Sequence, residues 1–377
     1  MNPLPYAPAT SVNVAALAQL FRSTTNSYKF LFFHAILACL DGRPRDAQPA
    51  IPLREVIVEM LSNAWYPHTL FRLSFGSQDK IGQVLDRLSS GTPGRGLKFK
   101  KDDLSRLRRS MAEGLSNSDY KLLSRWVPYR LLTPFFNTEL ARRRDPEKNR
   151  VLKQLAAGMF QSRKPLYRLD GDNLVLHPAW AAYLREHRSV VGGWASWHWL
   201  HYMQARNPNV PNVAGKLFPV VERASLKAQT TYWNLVSKRI GGRCLYSGIP
   251  LPSVETLDHY IPWSFVLHDR IWNLVPVTGP VNSSKGDRLA AGEYLEKLIK
   301  VQARGLVAAQ QVIKRKQWEG VAEEFMVDLG LPASMFQPPL ALPKLQAALE
   351  RGYKATVPTL ERLAVNQGFT GGWRWVD

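Results

Sequence analysis

From Val14 to about Leu140, apolar positions recur at steps of three and four, which predicts helices over 14–21, 27–40, 53–64, 79–88 and 104–114. Gly42-Arg43-Pro44, Tyr66-Pro67-His68 and Gly91-Thr92-Pro93-Gly94-Arg95-Gly96 punctuate them with residues that end helices or turn the chain. The period changes at 167–176, where two short apolar runs flank Asp170-Gly171-Asp172-Asn173, and Asp-Gly in that setting predicts a hairpin. A helix over 179–186 and an aromatic run, Trp194 to Trp199, follow. Asn207 to Pro211 reads as a linker and 218–238 as one helix.

Between Gly242 and Leu289 the pattern changes again. Cys244 to Gly248 predicts a short strand entering a tight turn, because Ser-Gly-Ile-Pro is turn chemistry. Residues 257–261 predict the first strand of a pair, Pro262 and the mixed tract 264–270 a loop, and the alternating run 271–277 the second strand. Asn282-Ser283-Ser284-Lys285 predicts the opening of a helix, since Asn and Ser side chains accept bonds from first-turn N–H groups. The order is strand, loop, strand, helix. Beyond it, 289–329 is helix-rich with Gly305 and Gly320 as breaks, the Pro-rich segment 331–343 turns the chain, and 345–351 and 358–365 predict two short closing helices. There is no internal repeat or heptad array.

A chain of 377 residues predicts two or three folded units. The pattern divides it at 1–165 (helical and basic), 166–215 (hairpin, Trp-rich helix and linker), 216–300 (the strand–loop–strand–helix unit with its leading helix) and 301–377 (helical). A net charge of +20 predicts a polyanionic partner, nucleic acid first and an anionic membrane surface second. Two basic clusters stand out: Arg95, Lys98, Lys100, Lys101, Arg106, Arg108 and Arg109, and then Arg142, Arg143, Arg144, Lys148, Arg150 and Lys153. Each reads either as a solvated face or as a phosphate-contact surface. The Gly91–Gly96 run lacks the Lys-Ser/Thr of a phosphate loop, and a basic loop is the plainer reading. The tryptophans can stack on bases, but large rings of this kind are mostly core. His198 and His201 share a helix face with no carboxylate or cysteine beside them in sequence, so a metal site there is not expected. Cys39 and Cys244 give no disulfide framework, which fits a reducing cytoplasm, and they exclude a four-cysteine zinc site. The first residues, MNPLPYAPATS, lack the regions of a signal peptide, and the apolar run 30–40 is far shorter than the ~20 residues of a bilayer span, so a soluble cytoplasmic protein is expected.

Hydrolysis of a phosphodiester needs a group that takes a proton from water and a cation that stabilises the departing oxygen. His259 is a base that titrates near neutral pH, and Asp258 and Asn282 offer hard oxygen ligands suited to Mg²⁺ or Mn²⁺. Asn273 carries an amide able to hold two backbone groups of the intervening loop. Lys285, on nearly the same helix face as Asn282, and Arg288 are placed to reach a phosphate. A lone Asp-His beside a Pro loop also reads as an ordinary turn with a hydrogen-bonded histidine. Neighbours in a regular strand point to opposite faces, so Asp258 and His259 can face one metal only if the strand distorts there.

Asp258-His259, the loop Pro262-Trp263-Ser264-Phe265, Asn273 and the spacing Asn282 to Lys285 together resemble an HNH nuclease module, most nearly the HNH domain of the RNA-guided CRISPR effectors. The resemblance covers roughly an eighth of the chain. It implies a mainly α protein with an embedded α+β ββα-metal (HNH) module. In it Asp258 and Asn282 are metal ligands, His259 is the general base and Asn273 pins the loop. Many relatives carry Cys-x-x-Cys pairs holding a structural zinc. Cys244 and Ser247 stand at the first such pair here, so no structural zinc is expected, and packing of Tyr246, Ile261, Trp263, Phe265, Trp272 and Leu274 must hold the module. The whole chain also resembles stand-alone bacterial HNH proteins, some of which are effectors of anti-phage defence systems such as Zorya. The expectation is a Mg²⁺-dependent endonuclease acting on duplex DNA, with a possible protein partner from a defence system. The competing class is a non-catalytic nucleic-acid-binding protein that uses the ββα unit as a scaffold.

Overall fold

The computed structural model describes residues 12–44, 50–89, 101–141, 143–218 and 225–376. The Gly91–Gly96 loop, Arg95, Lys98, Lys100 and Arg142 lie outside the described residues, as does the side chain of Lys101. The chain divides into two compact units, one of Met1–Pro208 with Val213–Glu222, the other of Asn209–Asn212 with Arg223–Asp377.

The first unit is built around helix Tyr28–Asp41, which buries Phe30, Leu31, Phe32, Phe33, Ile36, Leu37 and Leu40. A helix apolar on nearly all sides must be covered on all sides. Helices Leu53–Trp65 and Arg188–Arg206 are among the elements that cover it. The Asp-Gly hairpin forms as the sequence predicts, from β2 (Tyr167–Asp170) and β3 (Asn173–Leu176), with Gly171 at φ 57° in its turn. A further strand, β1 (Ala50–Pro52), pairs with β3 and gives the order β1-β3-β2. With so few residues β1 carries no alternation to read, and it is fixed by Ile51 pairing with Leu174, both buried. In Arg188–Arg206, Trp194 and Trp199 are buried, while Trp197 is 60% exposed with its ring 4.3 Å from that of His201. His198 packs on Phe21 and Trp194, so it belongs to an aromatic contact.

The second unit has helices Lys227–Ile240, Glu293–Val312, Arg315–Leu329 and Leu342–Asn366 packed around a two-stranded antiparallel sheet. Three expected breaks are absent. Gly305 and Gly320 lie inside continuous helices, and Pro358 lies inside one 25-residue helix where the sequence predicts two short ones. Burial of Tyr353, Val357 and Ala364 anchors that helix on both sides of the proline, outweighing the lost backbone bond.

Two glycines of this unit differ in what surrounds them. A Cβ on Gly305 would meet Val236 and Trp233 at 3.5–3.6 Å, ordinary contact, whereas one on Gly352 would sit 2.9 Å from the backbone oxygen of Leu329. Gly305→Ala is therefore expected to raise stability by up to ~1 kcal/mol, the helix preference of alanine over glycine. Gly352→Ala should lower it by about 1–3 kcal/mol, as overpacking does. Denaturant melts of the two variants check this, and equal shifts in the same direction would refute the packing account.

Candidate active site

The sheet of the second unit pairs β4 (Thr256–His259) with β5 (Leu274–Val277), with Asp258 opposite Val275 and His259 opposite Leu274. The ladder continues past the Asp-His pair, because Tyr260 N–H donates to the Asn273 carbonyl at 2.8 Å. The distortion expected at Asp258–His259 is therefore absent, and the two side chains hold different partners. Cys244 to Gly248 forms the expected turn without the expected strand before it, with Gly248 at φ 75° and its N–H on the Cys244 carbonyl. Residues 271–273 are a 3₁₀ turn preceding β5, and helix Gly279–Lys285 starts upstream of Asn282-Ser283 with Thr278 as its N-cap.

Asp258 is 3% exposed and lies in a closed set of bonds. The Tyr246 hydroxyl donates to its Oδ2 at 2.6 Å, and the Lys285 ammonium lies 3.1 Å from Oδ1 and 3.0 Å from Oδ2. Lys285, only 1% exposed, also donates to the His259 carbonyl at 2.8 Å. Burial, and then the carboxylate of Asp258, push the Tyr246 hydroxyl well above its ordinary pKa, so it remains a donor. Its ring is held edge-on by Tyr294 and Trp373 at 4.9 and 5.1 Å. Trp373 is held in turn by backbone bonds between residues 289–291 and 370–373. The last turns of the chain thus reach the carboxylate through a single ring.

Asn273 is fully buried, and its amide holds both backbone groups of Ile261, accepting from the N–H at 2.8 Å and donating to the carbonyl at 2.9 Å. The 3₁₀ turn around it is held by Gln302, which donates to the carbonyls of Ile271 and Leu274, and by the Tyr353 hydroxyl on the Trp272 carbonyl.

His259 meets a group that the sequence reading passes over. Its Nε2 lies 2.8 Å from Oδ1 of Asp269, in the loop between the strands. The loop contains a short helix, Trp263–Val266, ended by Leu267 at φ 57°, a left-handed conformation unfavourable for a residue with a Cβ. From the other side, the Ile271 N–H donates to Glu324, the Trp272 indole to Asp328, and Arg270 reaches both carboxylates. His268, the neighbouring imidazole, is pushed down to about 4 by burial, which makes it a poor base at neutral pH.

Asp258, His259 and Asn282 line one open cavity of about 470 Å³, with Glu255, Thr256, Pro262, Trp263 and Asp287 among its other walls. Glu255 and Asp287 are carboxylates that the sequence reading does not single out. Of the expected packing residues, Tyr246, Ile261, Phe265, Trp272 and Leu274 are core, whereas Trp263 is half-buried at the cavity wall. Among the described residues no group of three His, Cys, Asp or Glu is arranged to hold a metal ion, and both cysteines are buried and unpaired.

The residues expected to meet phosphate stand in different settings. Lys285 is buried on Asp258, and the Arg288 guanidinium donates to the carbonyls of Lys285 and Ser284 at the end of their helix, though it is exposed. Arg108 forms a two-pronged pair with Glu59 at 2.6 and 2.8 Å. Arg143 and Arg144 are exposed and line a cavity of about 560 Å³ in the first unit, together with Glu139 and Glu147. Lys101 opens helix Lys101–Gly114. No helix among the described residues is long and apolar enough to cross a membrane.

Comparison with known proteins gives one match. Residues 244–291, the turn, both strands, the loop and the helix that surround the cavity, match the family model for HNH endonucleases. Neither curated proteins nor solved structures gave a match. The matched stretch and the cavity-lining Asp258, His259 and Asn282 coincide, and the mainly helical chain carries an HNH-family nuclease module.

Proposed function

We propose that this chain is a metal-dependent DNA endonuclease in which His259 takes the proton from the attacking water. The observation that carries the reading is the single cavity lined by Asp258, His259 and Asn282 inside the stretch matched to HNH endonucleases. Asp258 and Asn282 would hold a divalent ion. They offer one carboxylate and one amide oxygen to the same cavity, a sparse, hard donor set that suits an ion keeping several waters, Mg²⁺ or Mn²⁺ rather than zinc. When bound, such an ion supplies positive charge to the scissile phosphate and its leaving oxygen. Asn273 fixes the backbone of residues 260–261 and with it the end of the strand that carries His259. Lys285 and Tyr246 hold Asp258 in one orientation. Because Lys285 already neutralises this carboxylate, the ion should bind weakly until substrate phosphate joins its shell.

The charge of +20 supports a nucleic-acid substrate, and the basic first unit, with Arg143 and Arg144 exposed, supports a role for that unit in binding it. The resemblance to stand-alone HNH proteins supports a bacterial anti-phage effector working in the cytoplasm with a protein partner. The buried Asp258–Lys285 pair favours the competing reading, a ββα scaffold whose carboxylate needs no cation. Plasmid cleavage by the purified chain decides between them. Nicked or linear product should form with Mg²⁺ or Mn²⁺ and cease with EDTA. DNA binding without cleavage under any divalent ion would leave the scaffold reading standing.

A further inference from the structure

We infer that Asp269 is the positioning residue of the nuclease site, holding His259 in the tautomer protonated at Nε2. This deepens the proposed function and rests on His259 being the base. A carboxylate has only acceptor oxygens, so the 2.8 Å contact between Asp269 Oδ1 and His259 Nε2 requires the proton on that nitrogen. In the neutral ring the proton-accepting lone pair then lies on Nδ1. Without such a partner an imidazole divides between its two tautomers and rotates, and a general base must present the correct nitrogen at short range.

The loop is arranged to fix this carboxylate from several sides. Before it, Leu267 takes a left-handed conformation that turns the chain back from the short helix Trp263–Val266. At the residue itself, the Gln229 side chain, from helix Lys227–Ile240, donates to the Asp269 carbonyl at 3.2 Å. After it, Glu324 and Asp328 of helix Arg315–Leu329 hold the Ile271 N–H at 2.6 Å and the Trp272 indole at 2.7 Å. Arg270 faces those same two carboxylates, at 3.8 and 3.5 Å, so the charge adjacent to Asp269 is directed away from His259. Half-buried His268, on the other side of Asp269, is a neutral neighbour. A loop serving only to join two strands needs no clamp on four consecutive residues, 269 to 272.

Two measurements test the inference. In the ¹⁵N-histidine spectrum of the full chain, the His259 signals are assigned by their loss in His259→Gln. They should report Nε2 protonated and Nδ1 unprotonated in the parent, and a mixture of tautomers in Asp269→Ala. Single-turnover cleavage should fall about 10–100-fold in Asp269→Ala, as misplacement of a reacting group does, and recover at least partly in Asp269→Glu, which restores the acceptor. Asp269→Asn retains shape and the backbone bond to Gln229 and serves as the second variant if the alanine form does not fold. It should keep the tautomer through its amide oxygen and yet cleave more slowly for want of the charge. An unchanged tautomer ratio in Asp269→Ala, or cleavage at or above the parent rate, would overturn the inference. Faster cleavage would mean that Asp269 restrains His259. Because the spectrum is read without substrate, failure here is separable from failure of the nuclease reading, which shows as undiminished cleavage by His259→Ala.

Discussion

His259→Ala is expected to lower single-turnover DNA cleavage by about 10²–10⁴-fold, the usual contribution of a general base, while the fold and DNA affinity remain near those of the parent. The separation follows from what each atom of residue 259 does. Its carbonyl accepts from Lys285 and its backbone pairs with Leu274, and alanine retains both. Only the imidazole is lost, leaving the Asp269 carboxylate, which is not sealed off, without that partner. The neighbouring imidazole, His268, is a poor replacement, because burial holds it at about 4. The measurement is cleavage with excess enzyme and saturating Mg²⁺ beside a binding titration on the same DNA. Cleavage as fast as the parent would remove His259 from the mechanism and leave the cavity carboxylates Glu255, Asp258 and Asp287 to be tested.

What the sequence made legible here followed from residue type and short-range order. Asn273 could be read as a clamp because an amide is the side chain that pairs with an N–H and a carbonyl at once, and it holds both groups of Ile261. The hairpin at Gly171, the central helix Tyr28–Asp41 and the order of the ββα unit were legible for the same reason. The contacts that came from elsewhere in the chain were not. Tyr246 reaches Asp258 across twelve positions, and Glu324 reaches Ile271 across fifty-three. Neither spacing leaves a mark on a periodic pattern. Asp269 lay within the motif but in a tract with no alternation, where a loop Asp reads as turn chemistry. Local rules also misled. Gly305, Gly320 and Pro358 break isolated helices, yet tertiary burial carries each helix through them. Lys285 sits at a spacing suited to phosphate, but its helix face turns inward onto a carboxylate.

That inward turn predicts the second large effect. Lys285→Met removes the ammonium from a carboxylate that is 3% exposed, leaving Asp258 with the Tyr246 hydroxyl as its remaining partner among the bonds that hold it here. Breaking a buried ion pair from one side costs about 3–5 kcal/mol, because the charge left behind has neither water nor partner. Asp258→Asn should be costly for the converse reason, leaving a buried ammonium with neutral acceptors in place of its counter-charge. The double variant Asp258→Asn, Lys285→Met leaves no buried charge at this point and should recover most of the loss, so the coupling between the positions should be large and favourable. A chain with two compact units need not unfold in one step. The suitable readout is therefore amide exchange in β4 and β5, which reports the opening of this unit alone. A penalty below about 1 kcal/mol for Lys285→Met, with no recovery in the double variant, would mean that the ammonium is not committed to Asp258. Lys285 would then return as a phosphate ligand. The same pair bears on catalysis: a carboxylate already neutralised by lysine attracts a free divalent ion weakly, so the loaded site should assemble on the substrate phosphate instead of before it.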